Sequence, residues 1–214
     1  MFVKSRMTAN PYTVSSNDTI TEAFTVMTEN KVRRLPVVDN GKLVGIVTEK
    51  SLQQVSPSKA TTLSIYEINY LLAQTKVKSV MTTDLITVAP DTLLEEAAVL
   101  MRDNDIGGLP VVENGKLVGI ITETNIFDAF IDLLGFRDIG SRITIEAMDV
   151  PGTLSDIGSI LGSFGVNVSH IAVYKGTGLT SDVVLRVNCI NTTEIEKAFV
   201  EHGYRILHVM KCNE

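Results

Sequence analysis

Residues 33, 34 and 50 of this chain are Arg, Arg and Lys. A guanidinium pair with an ammonium group offers forked and pointlike donors suited to phosphate oxygens. Two arginines at a strand edge also serve simply to keep that edge soluble, so the pattern alone leaves both roles open. Thr48 and Thr122 each stand where an apolar stretch gives way to a helix start. A hydroxyl there suits a ribose or phosphate beside a helix N-terminus, and equally a plain N-cap. A third candidate is Asp149-Val-Pro-Gly-Thr-Leu. Its glycine permits close approach and the helix behind it offers free amides to a carboxylate, although Pro-Gly also makes an ordinary tight turn. Covalent chemistry has little to work with. His170, His202 and His208 are scattered, and Cys189 and Cys212 form no ligand-spaced cluster. There is no P-loop, no dinucleotide glycine fingerprint after a strand, and no nucleophile–base pair. The expectation is a protein without catalysis, metal or required cofactor, its two thiols reduced.

The elements that must position these residues are written twice. Residues 35–49 read LPVVDNGKLVGIVTE and residues 109–123 read LPVVENGKLVGIITE. Met7-Thr8, Thr13-Val14, Glu22-Ala23 and Met27 recur at Met81-Thr82, Thr87-Val88, Glu96-Ala97 and Met101, always 74 residues on. Across 6–52 and 80–126 about 21 of 47 positions are identical with no gap, which marks a duplication into two small domains. The exception is the basic group: Arg33, Arg34 and Lys50 correspond to Gly107, Gly108 and Thr124.

Each copy predicts β-α-β-β-α. An extended segment (Tyr12–Val14; Ile86–Val88) precedes a helix start at Thr19-Ile-Thr-Glu22 or Thr92-Leu-Leu-Glu95, both of which fit a capping box. Ile20, Ala23, Phe24 and Met27, and Leu94, Ala97, Ala98 and Met101, then fall at helical spacing. Asn40-Gly41 and Asn114-Gly115 predict type I′ hairpins between apolar strands. A unit of this size buries too little to stand comfortably alone. Two copies packed together gain a core, a pseudo-twofold axis and clefts where they meet. Between them, Ser64-Ile-Tyr-Glu67 fits a further capping box before Ile65, Ile68, Leu71 and Leu72.

The last third changes pattern. Arg142–Ala147 alternates as a strand, and a helix carries Leu154, Ile157, Ile160, Leu161 and Phe164 before Gly165. Val166–Val173 and Thr180–Val187 read as strands, Thr193–His202 as a helix closed by Gly203, and Tyr204–Met210 as a strand. That order, β-α-β-β-α-β, is the ferredoxin-like plan. The fold class is therefore α/β (α+β), with domains at 1–76, 77–137 and 141–211 and a hinge near Gly135–Gly140. His170 reads as a satisfied, partly buried histidine, and His202 as a cation favoured at a helix C-terminus. The net charge of −6 argues against a nucleic-acid or anionic-membrane partner. No apolar run approaches a membrane span and no signal peptide is evident, so a cytoplasmic location is expected.

The set V-M-T, T-V, L-P-V-V, N-G-K-L-V-G-I resembles a tandem pair of CBS domains, and D-V-P-G-T-L with G-V-N-V-S-H-I resembles an ACT domain. The whole arrangement, with YEINYLL between the repeats, is similar to the acetoin-utilization type of bacterial CBS–ACT protein. The resemblance implies adenosine-type ligands (AMP, ATP, S-adenosylmethionine) in two inter-repeat clefts, and disc-like dimers. It implies one cleft from Thr8, Thr13, Val32 and Arg33, with Arg34 and Lys50, joined to Ile120, Thr122 and Asn125. The other takes Thr82, Thr87, Ile106 and Gly107 with Ile46, Thr48 and Ser51. Where the family motif ends in an Asp that grips the ribose, this sequence has Ser51 and Asn125. Loss of a charge-assisted bond costs roughly 1.5–3 kcal/mol, and Asn can still bond a ribose, so the cleft with Asn125 is favoured. The ACT resemblance implies an amino-acid site at Asp149, Pro151, Gly152, Thr153, Leu154 and Asn167, at a homodimer interface. Together these imply a non-catalytic ligand-sensing regulator, homodimeric or higher, acting on an unidentified protein partner and tied to acetoin or acetate metabolism. The alternative is a ligandless dimerisation or adaptor protein.

Overall fold

The structure is a computed structural model describing residues 1–55, 74–176 and 178–212. The chain divides into two units, Met1–Ile126 and Phe127–Glu214. The expected capping box at Ser64–Glu67 and its helix lie outside the described residues.

In the first unit the order is β1 (Thr8–Ala9), α1 (Ile20–Glu29), β2 (Arg34–Asp39), β3 (Lys42–Thr48) and α2 (Glu49–Val55). It is followed by α3 (Leu94–Asp103), β4 (Gly108–Glu113), β5 (Lys116–Thr122) and α4 (Glu123–Leu133), the last crossing into the second unit. Both hairpins turn as the sequence requires: Asn40 and Gly41 have φ of 49° and 78°, Asn114 and Gly115 of 50° and 77°. These paired positive angles match the right-handed twist of the flanking strands. Each hairpin carries a register shift, at Val37/Val38 and Val111/Val112, which the alternation did not reveal.

The two copies are interlocked. β1 pairs antiparallel with β5, Thr8 opposite Ile120, and Thr82 bridges Ile46 in the same way. Each repeat thus lends its leading segment to the other repeat's hairpin. The glycine in each central strand makes room for it: a Cβ on Gly45 would stand 2.6 Å from Met81 Sδ, and one on Gly119 2.5 Å from Met7 Sδ. The buried cores correspond at the repeat offset, with Val3, Val14, Ile20, Ala23, Met27, Leu35 and Val37 matched by Val77, Val88, Leu94, Ala97, Met101, Leu109 and Val111. Phe24, expected on the apolar face of α1, is instead 44% exposed.

The second expected capping box does not form. Thr19 caps α1 reciprocally with Glu22, at 3.2 and 2.7 Å. The residue at the N-cap of α3 is Leu93, which has no capping side chain, while Thr92 Oγ1 accepts from the Ala89 N–H at 3.0 Å. The repeat offset puts Leu93 in Thr19's place, so Thr92 falls one residue early.

The second unit runs β6 (Gly140–Met148), α5 (Thr153–Ser163), β7 (Val168–Lys175), β8 (Thr180–Val187), α6 (Thr193–Glu201) and β9 (Arg205–Cys212). The strand order is β7-β8-β6-β9, antiparallel throughout, as the ferredoxin-like plan requires. Its core joins Ile143, Ile145, Val183 and Leu185 to Ile157, Ile160, Leu161, Ile195 and Phe199. Leu154 and Phe164, expected on the apolar face of α5, are exposed.

Candidate functional site

The cavity of interest lies in the first unit, where the ends of both hairpins come together. It measures about 500 Å³ and is lined by Arg33, Arg34 and Lys50, by Ile46 and Thr48, and by Thr82, Ile106 and Gly107, among others. That volume falls within the ~300–1,000 Å³ typical of small-molecule sites. Each wall has a local cause. The β2–β3 register sets Arg34 opposite Thr48, and the Arg33 carbonyl accepts from the Glu49 N–H at 2.9 Å, so strand start and helix start are tied. Thr82 arrives across the repeats, exchanging backbone hydrogen bonds of 3.0 and 2.9 Å with Ile46.

The basic trio therefore sits with Ile46, Thr48, Thr82, Ile106 and Gly107. None of Thr8, Thr13, Val32, Ile120, Thr122 or Asn125, which the resemblance places beside it, lines this cavity. This corrects the grouping, and the cause is the hairpin: Arg34 is tied to Thr48 by strand pairing, whereas Thr122 pairs with Gly108. Thr87 and Ser51, expected in this cleft, are not among its lining residues. Thr8 remains paired to Ile120, Thr13 is exposed, and Val32 packs against the core of the first repeat.

The residues in the ribose-gripping positions are turned to local work. Ser51 and Thr48 bond reciprocally, with N–H to hydroxyl distances of 3.1 and 3.0 Å, and the Ser51 hydroxyl donates to the Thr48 carbonyl at 2.9 Å. Asn125 Oδ1 accepts from both the N–H and the hydroxyl of Thr122, at 2.9 and 2.8 Å. Both threonines are thus helix-start residues. The carboxylates of the cleft come from elsewhere: Glu49, Asp84 and Asp105 line it together with Gln53, Leu85 and Ile86. Sequence reasoning missed these. Asp84 follows Thr82 so closely that the crossing of that segment carries it in.

Electrostatically the half-buried Arg34 is the distinctive group. Burial, then the like charge of Arg33, holds its guanidinium below the ordinary arginine value, with Glu123 acting in the opposite sense. A cation so placed gains when an anion approaches, since burial leaves it short of solvation.

At the expected amino-acid site, Gly152 is in the left-handed region at φ 96° and a Cβ there would meet only open space. The Thr153 hydroxyl donates to the carbonyls of Met148 and Val150 at 2.8 and 3.0 Å, bracing the turn. The Asn167 N–H donates to Asn188 Oδ1 at 3.0 Å. Asp149, Pro151, Gly152, Leu154 and Asn167 are all exposed.

Elsewhere in that unit the expected hinge is held down. Arg186, only 2% exposed, donates through Nη2 to the carbonyls of Phe136 and Asp138 at 2.6 and 3.2 Å and through Nη1 to Cys212 Sγ at 3.1 Å. Asp138 pairs with His170 at 3.3 Å. The His202 ring contacts the Ala198 carbonyl at 2.8 Å. Cys189 and Cys212 are free. Among the described residues no cluster of His, Cys, Asp and Glu could hold a metal, and no helix is long and apolar enough to cross a membrane.

Compared with known proteins, the chain matches the CBS domain over residues 3–57 and 77–132, and the ACT domain over 141–208. Several solved structures are similar, three of them as follows. The Vibrio cholerae protein named for acetoin utilization (AcuB) is 36% identical, covering 63% of this chain and 93% of its own, with a TM-score of 0.53. The CBS domain pair of protein MJ0100, in complex with 5′-methylthioadenosine and S-adenosyl-L-methionine, is 29% identical over 61% of this chain and 95% of its own, with a TM-score of 0.51. CBSX2, in complex with AMP, is 30% identical over 61% and 96%, also at 0.51.

Proposed function

We propose a function from one premise: the chain belongs to the CBS-domain family and carries an ACT domain behind its CBS pair. It is a non-catalytic regulatory protein of the cytoplasm that binds an adenosine-type nucleotide in the cleft of Arg33, Arg34, Thr48 and Thr82. The observation that carries this reading is a cavity of about 500 Å³ holding a half-buried guanidinium beside a second one. Ile46, Ile106 and Ile86 offer apolar contact for a base, the arginines and Lys50 suit a phosphate, and the carboxylates suit ribose hydroxyls. Similar CBS pairs bind AMP, or methylthioadenosine and S-adenosylmethionine, which supports the ligand class. Binding regulates only through different affinity for two arrangements of the protein, and the target is an unidentified protein partner.

An amino acid at the Gly152 turn and a link to acetoin metabolism extend the proposal. The second rests on the resemblance to AcuB. A homodimer is favoured by α4, where Phe127, Phe130 and Leu133 are 66%, 56% and 61% exposed at three-residue spacing. Such a stripe marks a contact surface. One observation favours a ligandless adaptor instead: Ser51 and Asn125 both spend their oxygens on helix starts.

Calorimetric titration of the full chain with AMP, ATP, S-adenosylmethionine and methylthioadenosine decides between them. Saturable binding supports the sensor; no heat with any of the four leaves the adaptor. Sedimentation velocity is expected to show a dimer that Phe130→Asp converts to monomer.

A further inference from the structure

The glycine pair that replaces the arginines in the second repeat has a geometric role. A Cβ on Gly107 would land directly on Arg34 Nη2 and 2.7 Å from Glu123 Oε2, and one on Gly108 would stand 3.3 Å from Arg34 Cδ. Arg34 therefore crosses from the first repeat and lays its guanidinium into the notch that Gly107 leaves open. Glu123, the first residue of α4, approaches the same notch. Glu123 is the repeat counterpart of Glu49, which lines the cavity. Arg34 and Gly107 line that cavity; Glu123 does not.

We propose that Arg34 is an exchanging residue: with the cleft empty its guanidinium lies in the Gly107 notch facing Glu123, and a phosphate in the cleft draws it away. This rests on the nucleotide reading above and adds to it a charge-specific switch at the head of α4. The guanidinium has one set of forked donors, and Glu123 and a ligand phosphate compete for it. Glu123 opposes the effects of burial and Arg33 on Arg34, so its pull is part of what a phosphate must overcome. Phosphate-bearing ligands report to α4 through this exchange; an uncharged adenosine does not.

The test compares AMP with adenosine by calorimetry on the full chain. Glu123→Gln removes the competing charge, so AMP affinity rises about two- to fivefold, the range of a weak charge–charge attraction at a partly exposed site, while adenosine affinity is unchanged. In an Arg34→Met background the same Glu123→Gln change leaves AMP affinity unaltered. Gly107→Ala fills the notch and pushes the flexible end of Arg34 out of it, raising the AMP-to-adenosine affinity ratio with no change of charge; adenosine alone reports any steric block. AMP binding that Glu123→Gln leaves unchanged or weakens overturns the exchange and leaves the nucleotide reading standing. Absence of AMP binding to the parent chain overturns both.

Discussion

The two repeats share a hairpin, a core and a crossing segment, yet they differ at the helix start and at the cleft. The first repeat has Thr19 with Glu22 as a formed capping box, and Arg33, Arg34 and Lys50 at the cavity. The second has Leu93 at the N-cap, and Gly107, Gly108 and Thr124 at the corresponding places. The difference is complementary. The glycines are where the arginine of the other copy needs room, so one copy supplies charge and the other supplies space. Two arginine-bearing copies would put Arg34 and an arginine at 107 into one notch, with like charges in contact.

The largest effect expected from erasing this difference is on binding. Arg33→Ala with Arg34→Ala makes the first copy like the second, and AMP affinity is expected to fall at least about ten- to a hundredfold, since the loss of even one charge-assisted bond costs roughly 1.5–3 kcal/mol. Calorimetry reads the affinity and circular dichroism verifies that the fold persists. An unchanged affinity would return the pair to the role of a soluble strand edge.

Smaller effects should appear in stability. Thr19→Ala removes the reciprocal cap of α1 and is expected to cost about 1 kcal/mol in chemical denaturation. The converse change sharpens the comparison. Leu93→Thr places a hydroxyl at the N-cap of α3 with Glu96 three residues on, the spacing of Thr19 and Glu22, and is expected to stabilise by roughly 0.5–1 kcal/mol. A loss of stability would mean that exposed Leu93, bridged to Phe2, contributes more than a cap can.

The smallest effect is on pH dependence. The backbone N–H of Thr19, then its hydroxyl, holds the Glu22 carboxyl below the usual carboxylate range. A carboxylate depressed in the folded state adds stability that is present above its unfolded pKa and is lost as pH falls through the folded one. Glu22→Gln should therefore lower Tm at neutral pH, and the gap between parent and variant should close as pH drops below about 4. A gap that stays constant down to pH 3 would show that the charge of Glu22 is not what the cap uses.

Much of this was readable from the residues. Asn40-Gly41 and Asn114-Gly115 specify their turns because two successive positive φ angles suit few residue pairs. The α5 helix and its stop at Gly165 follow from periodicity and a left-handed C-terminal residue, φ 63°. The cleft assignment was also within reach: counting back from Asn40-Gly41 brings Arg34 beside the end of β3 and hence near Thr48, with the register shift at Val37/Val38 supplying the last residue. The failed cap at Thr92 was legible too, because the constant offset makes Leu93 the partner of Thr19. Exposed Phe24 and Leu154 were not, since helical spacing gives a face but not what lies against it.

By itself the sequence determined the duplication, both hairpins, the ferredoxin-like order of the last third and the asymmetry between Arg33-Arg34 and Gly107-Gly108. These follow from turn chemistry and periodicity acting over a few residues. The tertiary structure decided which cavity the arginines line, which carboxylates join them, and that Arg34 lies in the space Gly107 leaves open. Those facts depend on pairings such as Thr8 with Ile120 and Thr82 with Ile46. Such contacts join segments far apart in the chain, and no local preference encodes them; they are fixed only when two halves that cannot bury a core alone close on each other.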